Sequence, residues 1–280
     1  MVKEDKPGIV QPLDDPWEEL GARVLRSLFV IVQNGGRALA HLLPTILEKT
    51  RIRVTGVGFL TWRPARSRGL GNGVRDRIRI YGIRAWAMRQ VVGLLGRVRS
   101  PLRARRLTAA LESHGIPWIK IDDVNDPGFL DQLRRSTPDL ILSIFTGQRF
   151  ESDLLGIPRI GCVNVHFGPL PEYRGLYTSF WSLYNGERES GVSIHFMNNR
   201  WDGGPIIAQR RFPLTPGETV RSLDRKKWAA LPGLLSEALD ALVEGRVILG
   251  ANERDRGAYY SVPPREAALA FRKERRGRWL

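Results

Sequence analysis

The chain is poor in the residues that build disulfide scaffolds and metal clusters. It has one cysteine in 280 residues, Cys162, set in an apolar run. That excludes disulfide frameworks and multi-cysteine metal sites, and predicts a reducing, cytoplasmic compartment. Long hydrophobic runs are also missing. Arginine breaks each one well before the length of a membrane span, and no basic-then-apolar start with a small-residue cleavage site is present. Neither a transmembrane segment nor a secretory signal is expected. No Gly-X-Gly-X-X-Gly fingerprint follows the first apolar strand, which argues against NAD, and no residue cluster suggests a metal.

Acidic residues are scarce in one stretch. Residues 63–106 hold 13 arginines and a single acid, Asp76, so they carry +12 of the formal net charge of +15. Residues 265–280 add +4, and the rest of the chain is nearly neutral. Within the basic insert, placed at 62–106, Ile80, Ile83, Ala87, Val91, Leu94, Leu95 and Val98 recur at helical spacing while Arg84, Arg89, Arg97 and Arg99 fall elsewhere. This predicts an amphipathic basic helix. Its arginines read either as the solvated face of a packed helix or as a site for an anionic ligand, whether an acidic or phosphorylated substrate, RNA or an anionic membrane surface.

What is present is globular: 42% apolar and 26% charged residues support a packed core. Residues 1–26 are polar, with three prolines, and are expected to form a loosely docked leader. Leu28–Val32 reads as a buried strand, a Gly35-Gly36 turn opens a helix through about Lys49, and Ile52–Leu60 is a second strand. After the insert come a helix near 102–114, a strand at Pro117–Ile121, a helix near 126–135, a strand at Asp139–Phe145 and another at Ile160–His166. Such alternation predicts an α/β fold, with a mostly parallel sheet and helices on both faces, over 27–215. Residues 216–280 are expected as a small C-terminal extension, with a helix near 219–243, a strand at Ala258–Val262 and an Arg-rich terminal helix.

The chemistry is concentrated in three short segments. Asn164-Val165-His166 closes a strand, Gly168-Pro169-Leu170-Pro171-Glu172-Tyr173-Arg174-Gly175 follows, and Trp201-Asp202-Gly203-Gly204-Pro205-Ile206 comes later. Ligands of parallel α/β sheets sit beyond the carboxyl ends of the strands. Residues i and i+2 of a strand share a face about 6.6 Å apart, so Asn164 and His166 can address one small group. Asp202 is a candidate to fix the imidazole tautomer, because the Gly-Gly-Pro turn after it allows close backbone approach. An amide and an imidazole could then stabilise a tetrahedral oxyanion without a Ser or Cys nucleophile. Each piece alone also reads as a satisfied buried polar pair or a plain turn. His195, in the apolar strand Gly191–Met197, and His41 and His114, in helical patterns, are assigned to structure.

Taken in order, these motifs resemble the folate-dependent formyltransferase family. Its pattern is Asn-X-His, a Ser-Leu-Leu-Pro-X-Tyr/Trp-Arg-Gly loop, a Gly-Val-Thr strand and Asp-X-Gly-X-Ile. Asn164 and His166, then Pro171, Tyr173, Arg174 and Gly175, then Gly191-Val192-Ser193, then Asp202, Gly204 and Ile206 fill it, over about 139–213. The resemblance implies a Rossmann-like domain moving a formyl group from 10-formyltetrahydrofolate to a primary amine by direct attack through a tetrahedral intermediate. It implies that Asn164 and His166 hold the formyl oxygen and that Asp202 keeps His166 charged and orders a water. Phe145, Thr146, Gly147 and Gln148, with Met197, Asn198, Asn199, Arg200 and Trp201, would line the pteridine pocket. Pro171, Tyr173, Arg174 and Gly175 would lie on the substrate side.

The departures are Gly168 for the loop Ser, Pro169 for the next Leu, Asn198-Asn199-Arg200 before the Asp, and Gly203 for the common Thr or Ala. The acceptor implied is a small-molecule amine, such as a nucleotide-linked amino sugar, or an aminoacyl-tRNA such as methionyl-tRNA. A basic surface would suit RNA. The roughly 65 residues after the core are short for the β-barrel tail of the tRNA enzymes, which favours the sugar. Two alternatives are a hydrolase that releases formate from the same folate and a non-catalytic folate- or RNA-binding protein. Nothing in the sequence sets the oligomeric state.

Overall fold

The computed structural model describes residues 23–33, 37–61, 102 and 104–274. The leader through residue 22, the Gly35-Gly36 turn and nearly all of the Arg-rich insert, including the helix expected over 80–98, lie outside the described residues.

The strands are β1 (Ser27–Val32), β2 (Arg53–Leu60), β3 (Trp118–Ile121), β4 (Leu140–Ile144), β5 (Gly161–His166), β7 (Glu189–Phe196) and β8 (Ile206–Pro213). They form one sheet in the order β3-β2-β1-β4-β5-β7-β8. The first five run parallel, and β7 and β8 are antiparallel to their neighbours. The mostly parallel α/β sheet expected from the sequence is present.

β1 shows why the layers form. All six of its residues are buried, and alternate side chains leave a strand on opposite faces. Leu28, Val30 and Val32 join a core cluster with α1 (Arg37–Leu47), a helix at 104–113 that we call α2, and α6 (Val220–Glu244). Phe29 and Ile31 face the other way, onto α3 (Pro127–Ser136) and α4 (Ser152–Leu155). Each such buried aliphatic side chain contributes about 1.5–3 kcal/mol before chain entropy is counted.

The helices have local reasons for their limits. Asp126 caps α3 by accepting the Phe129 N–H at 2.9 Å, with Pro127 at the first helical position and Thr137 in the left-handed region at the far end. α6 opens with a reciprocal Thr219/Ser222 capping box and stops at Gly245, φ 61°. None of the helices among the described residues is long and apolar enough to cross a membrane.

A second, two-stranded parallel sheet pairs β6 (Tyr173–Gly175) with β9 (Ala258–Tyr260). The rings of Tyr173 and Tyr260 stack across it, 4.9 Å apart. α5 (Thr178–Tyr184) and α7 (Arg265–Glu274) meet α6 in a separate core around Phe180, Leu223 and Phe271. The residues after 215 therefore pack into the same body as the sheet.

The chain runs outward from β1 to β2 and β3, then returns on the other side of β1 as β4 and β5. The connections thus diverge between β1 and β4, where such sheets open a ligand crevice beyond their carboxyl ends.

Candidate active site

The turn after β4 forms one wall of that crevice. Phe145 is held at φ 57°, and the Gly147 N–H donates to the Gln33 side chain at 2.8 Å. The Gln148 side chain accepts the Val124 N–H and donates to the Asp122 carbonyl, both at 2.8 Å. The turn is thereby tied to the loops after β1 and β3.

Fully buried Ser143 on β4 donates to Asn164 Oδ1 at 3.2 Å. An amide whose oxygen is engaged this way presents its NH2 in the opposite direction. That nitrogen lies 3.3 Å from His195 Nε2 and 3.5 Å from Asp202 Oδ1. His195 reaches it because β7 pairs antiparallel with β5 in a register that sets Asn164 opposite His195.

The tautomers follow from the partners. His166 Nε2 is 2.6 Å from the Tyr173 carbonyl oxygen. A carbonyl only accepts, so this nitrogen carries a proton and Nδ1 is the atom that titrates. Nδ1 faces Asp202 Oδ1 at 3.4 Å. In His195, Nδ1 bonds the Phe196 carbonyl at 2.7 Å, leaving Nε2 toward Asn164 and 3.6 Å from Asp202 Oδ1.

Asp202 sits in the left-handed region, φ 49°, and its Oδ2 accepts the Gly175 N–H at 2.7 Å. The Asn252 amide donates to the Asp202 and Gly204 carbonyls at 2.8 and 2.7 Å. A Cβ on Gly204 would lie 2.1 Å from the Phe196 carbonyl oxygen. Glycine is therefore what lets this loop close against β7.

Charge follows geometry. Burial works against ionising Asp202, but His166, the hydrogen bond and charge of His195, and the Gly175 N–H outweigh it, holding the carboxyl well below the usual carboxylate range. Burial lowers the His166 pKa. Asp202 and the Tyr173 carbonyl oppose that, while His195 and Lys227 add to it. Against the expectation that Asp202 keeps His166 charged, desolvation outweighs the carboxylate and shifts the imidazole toward its neutral form.

Both shifts destabilise the fold in acid. A lowered carboxylate contributes stability above its unfolded pKa and loses it as pH falls. A lowered histidine contributes above about 6.5 and likewise loses it on acidification. Urea unfolding at pH 4, 3 and 2 should therefore show a steep acid-side fall in the parent chain and a shallower one in Asp202→Asn, because the carboxylate loses its contribution only below its ordinary value of 3.8. Parallel curves would mean that Asp202 titrates alike folded and unfolded.

Asn164, His166, His195 and Asp202 open on a pocket of about 400 Å3. Among the described residues no group of three or more His, Cys, Asp or Glu is arranged to hold a metal ion. A family model described as formyl transferase matches residues 100–239, half of the chain. The chain belongs to the formyl transferase family.

The chain is 37% identical over 156 residues to a methionyl-tRNA formyltransferase of Trichlorobacter lovleyi, a match covering 56% of the chain and 49% of that protein. A second, from Myxococcus xanthus, is 38% identical over 136 residues, 48% of the chain and 43% of that protein. The chain spans about half the length of the curated relatives it matches. In fold it is similar to glycinamide ribonucleotide transformylase 1 from Symbiobacterium toebii, with a TM-score of 0.56 and 21% identity over 81% of the chain and 92% of that structure. A sugar N-formyltransferase from Shewanella sp FDAARGOS_354 gives a TM-score of 0.56 and 18% identity over 84% and 76%.

Within the pocket, Phe145, Thr146, Gly147 and Gln148 line one side and Met197, Asn198, Arg200 and Trp201 line another. Asn199 does not line it; its carbonyl accepts from Arg149 at 2.6 Å. Of the four residues expected on the substrate side, only Gly175 faces the pocket. Tyr173 is buried, its hydroxyl donating to Glu187 at 2.5 Å and accepting from Asn185 at 3.0 Å. Arg174 is buried and donates to the Gly257 carbonyl at 2.9 Å. Pro171 lies away from the pocket, with its carbonyl against Gly257. These three shape the loop from behind: their side chains stay out of the pocket, while the Tyr173 carbonyl reaches His166 Nε2.

His195, assigned to structure from the sequence, lines the pocket together with His166. His41 and His114 lie outside the pocket. His41 bonds the Trp228 carbonyl at 3.0 Å, and His114 caps its own helix through the Ala110 carbonyl at 2.8 Å. Leu176, Tyr177, Thr178 and Tyr259 also line the pocket and carried no motif in the sequence. α6 supports the site from beneath: Trp228 packs on Phe145 and Phe167, with ring centroids 5.2 and 5.1 Å away.

Proposed function

We propose that the chain transfers a formyl group from 10-formyltetrahydrofolate to a primary amine. The acceptor is a small-molecule amine, such as a nucleotide-linked amino sugar, or methionyl-tRNA, the two classes named among its relatives and fold neighbours. The observation that carries the reading is the direction of the Asn164 amide, whose oxygen is taken by Ser143 so that its NH2 faces the pocket beside His166 and Asp202.

The pocket suits the donor. Flat or soft apolar side chains, Phe145, Phe150, Phe167, Met197 and Trp201, stand beside the polar backbone of the 145–148 turn and the 197–202 loop. This is the mixture a bicyclic pterin with polar edges requires. In the reaction the amine nitrogen attacks the formyl carbon, the bond to folate N10 breaks, and the amine proton passes in effect to N10. The Asn164 NH2 donates to the formyl oxygen as negative charge gathers there. His166 Nδ1, neutral and with its other nitrogen fixed by the Tyr173 carbonyl, takes the amine proton. Asp202 stabilises the resulting imidazolium and holds a water beside it.

Purified full-length chain given formyl-labelled 10-formyltetrahydrofolate, with and without amino-sugar nucleotides or methionyl-tRNA, tests this. Label should appear on one amine class and vanish in His166→Ala. Label released only as formate would make the protein a hydrolase, and unconsumed donor would make it a binding protein.

A further inference from the structure

Lys227 stands on α6 in line with Leu223 and Leu231, and all three side chains are fully buried. Its ammonium donates to the Phe167 carbonyl at 2.6 Å, to Ser179 Oγ at 2.8 Å and to Thr178 Oγ1 at 3.3 Å. Three bonds exhaust its three protons. Ser179 in turn donates to Asp224 at 2.6 Å, one turn earlier on α6. Phe167 directly follows His166, and Thr178 also bonds the same carbonyl. A leucine would continue the apolar stripe without desolvating a charge, so this ammonium is a costly way to fill space.

We propose that Lys227 is a positioning residue for formyl transfer: through the Phe167 carbonyl it fixes the end of β5 that carries Asn164 and His166, and it sets a positive charge behind the imidazole. The inference rests on the formyl-transfer reading of the site. The charged and polar groups around His166 are Asp202 from the loop before β8, His195 from β7, the Tyr173 carbonyl from β6 and Lys227 from α6. His195 and Lys227 both repel a proton on His166, and of the two Lys227 is the one that bonds the carbonyl directly after it. Burial brings its own pKa down to about 7 against the pull of Asp224. It is therefore charged through the acid range in which His166 titrates. The consequence is an imidazole free to accept a proton while the backbone under it cannot swing.

The test uses Lys227→Met and Lys227→Gln in the full chain, with a thermal melt to confirm folding. His166 is titrated by NMR of its Cε1–H, and kcat and KM are measured with labelled 10-formyltetrahydrofolate. In Lys227→Met, His166 should titrate at higher pH than in the parent, and kcat should fall about a hundredfold with KM little changed. Lys227→Gln, neutral but still able to donate to the carbonyl, should show the same titration shift with a smaller loss of kcat. It also carries the charge test if Lys227→Met does not fold. A folded variant with parental titration and parental kcat would overturn the proposal. A parent chain that consumes no donor, while His166 still responds to Lys227, would instead sink the formyl-transfer reading.

Discussion

Asn164→Ala should lower kcat for formyl transfer by about 10²–10³ while leaving the melting temperature near that of the parent. The amide is half-buried at the end of β5, so truncation opens little core. Three neighbours lose a hydrogen bond: Ser143 keeps Thr146 as a partner, His195 retains the Phe196 carbonyl, and Asp202 keeps the Gly175 N–H. The loss falls instead on the transition state, where the NH2 would meet an oxygen becoming negative. Because the ground-state formyl oxygen carries little charge, KM for the donor should change much less than kcat. Single-turnover transfer at saturating donor, compared with equilibrium binding of the same folate, separates the two. Weakened binding with an unchanged chemical step would remove Asn164 from the oxyanion role.

Gly168→Ser, which restores the residue typical of the resembling family, should impair this chain. A Cβ at 168 would lie 2.6 Å from the Tyr173 carbonyl oxygen, 2.7 Å from His166 Nε2 and 3.0 Å from Thr178 Cγ2. The first two atoms are hydrogen-bonded to one another at 2.6 Å, so a methylene there forces that pair apart. The carbonyl belongs to β6 and the ring is buried, so neither yields freely. The imidazole must tilt, and a displacement of about 1 Å at a reacting group costs on the order of a hundredfold in rate. Overpacking of this kind also lowers stability by about 1–3 kcal/mol. Gly168→Ala should behave alike, since the Cβ and not the hydroxyl is responsible. A Gly168→Ser enzyme as fast as the parent would show that the loop after β5 can shift as a unit.

How far the sequence could be read depended on whether a signal was local. β1, β4 and β5 were visible as short apolar runs, and α3 as a helix near 126–135, because each owes its form to its own residues. Asn164, His166 and Asp202 were legible as motifs, and the glycines after Asp202 announced a close approach. His195 was not. It sits in a mostly apolar strand with no motif around it, and only the antiparallel pairing of β7 with β5 brings it to Asn164. Lys227 was hidden in Arg225-Lys226-Lys227, which looks like a solvated patch. Its spacing of four from both Leu223 and Leu231 was the available clue. Tyr173 and Arg174 misled for the converse reason: their place in a motif suggested contact with substrate, whereas Arg174 ties β6 to the segment before β9 and Tyr173 stacks on Tyr260 and bonds Glu187.

The bonds from Asn252 to the Asp202 loop and the pairing of β9 with β6 have a consequence for a chain still leaving the ribosome. By the time residue 215 has emerged, every side chain of the proposed chemistry is present and the sheet can assemble. Yet the carboxylate loop lacks its clamp until some forty further residues follow. Catalytic competence is then the last property a nascent molecule acquires, and an unfinished copy holds its reactive groups without the arrangement that makes them act.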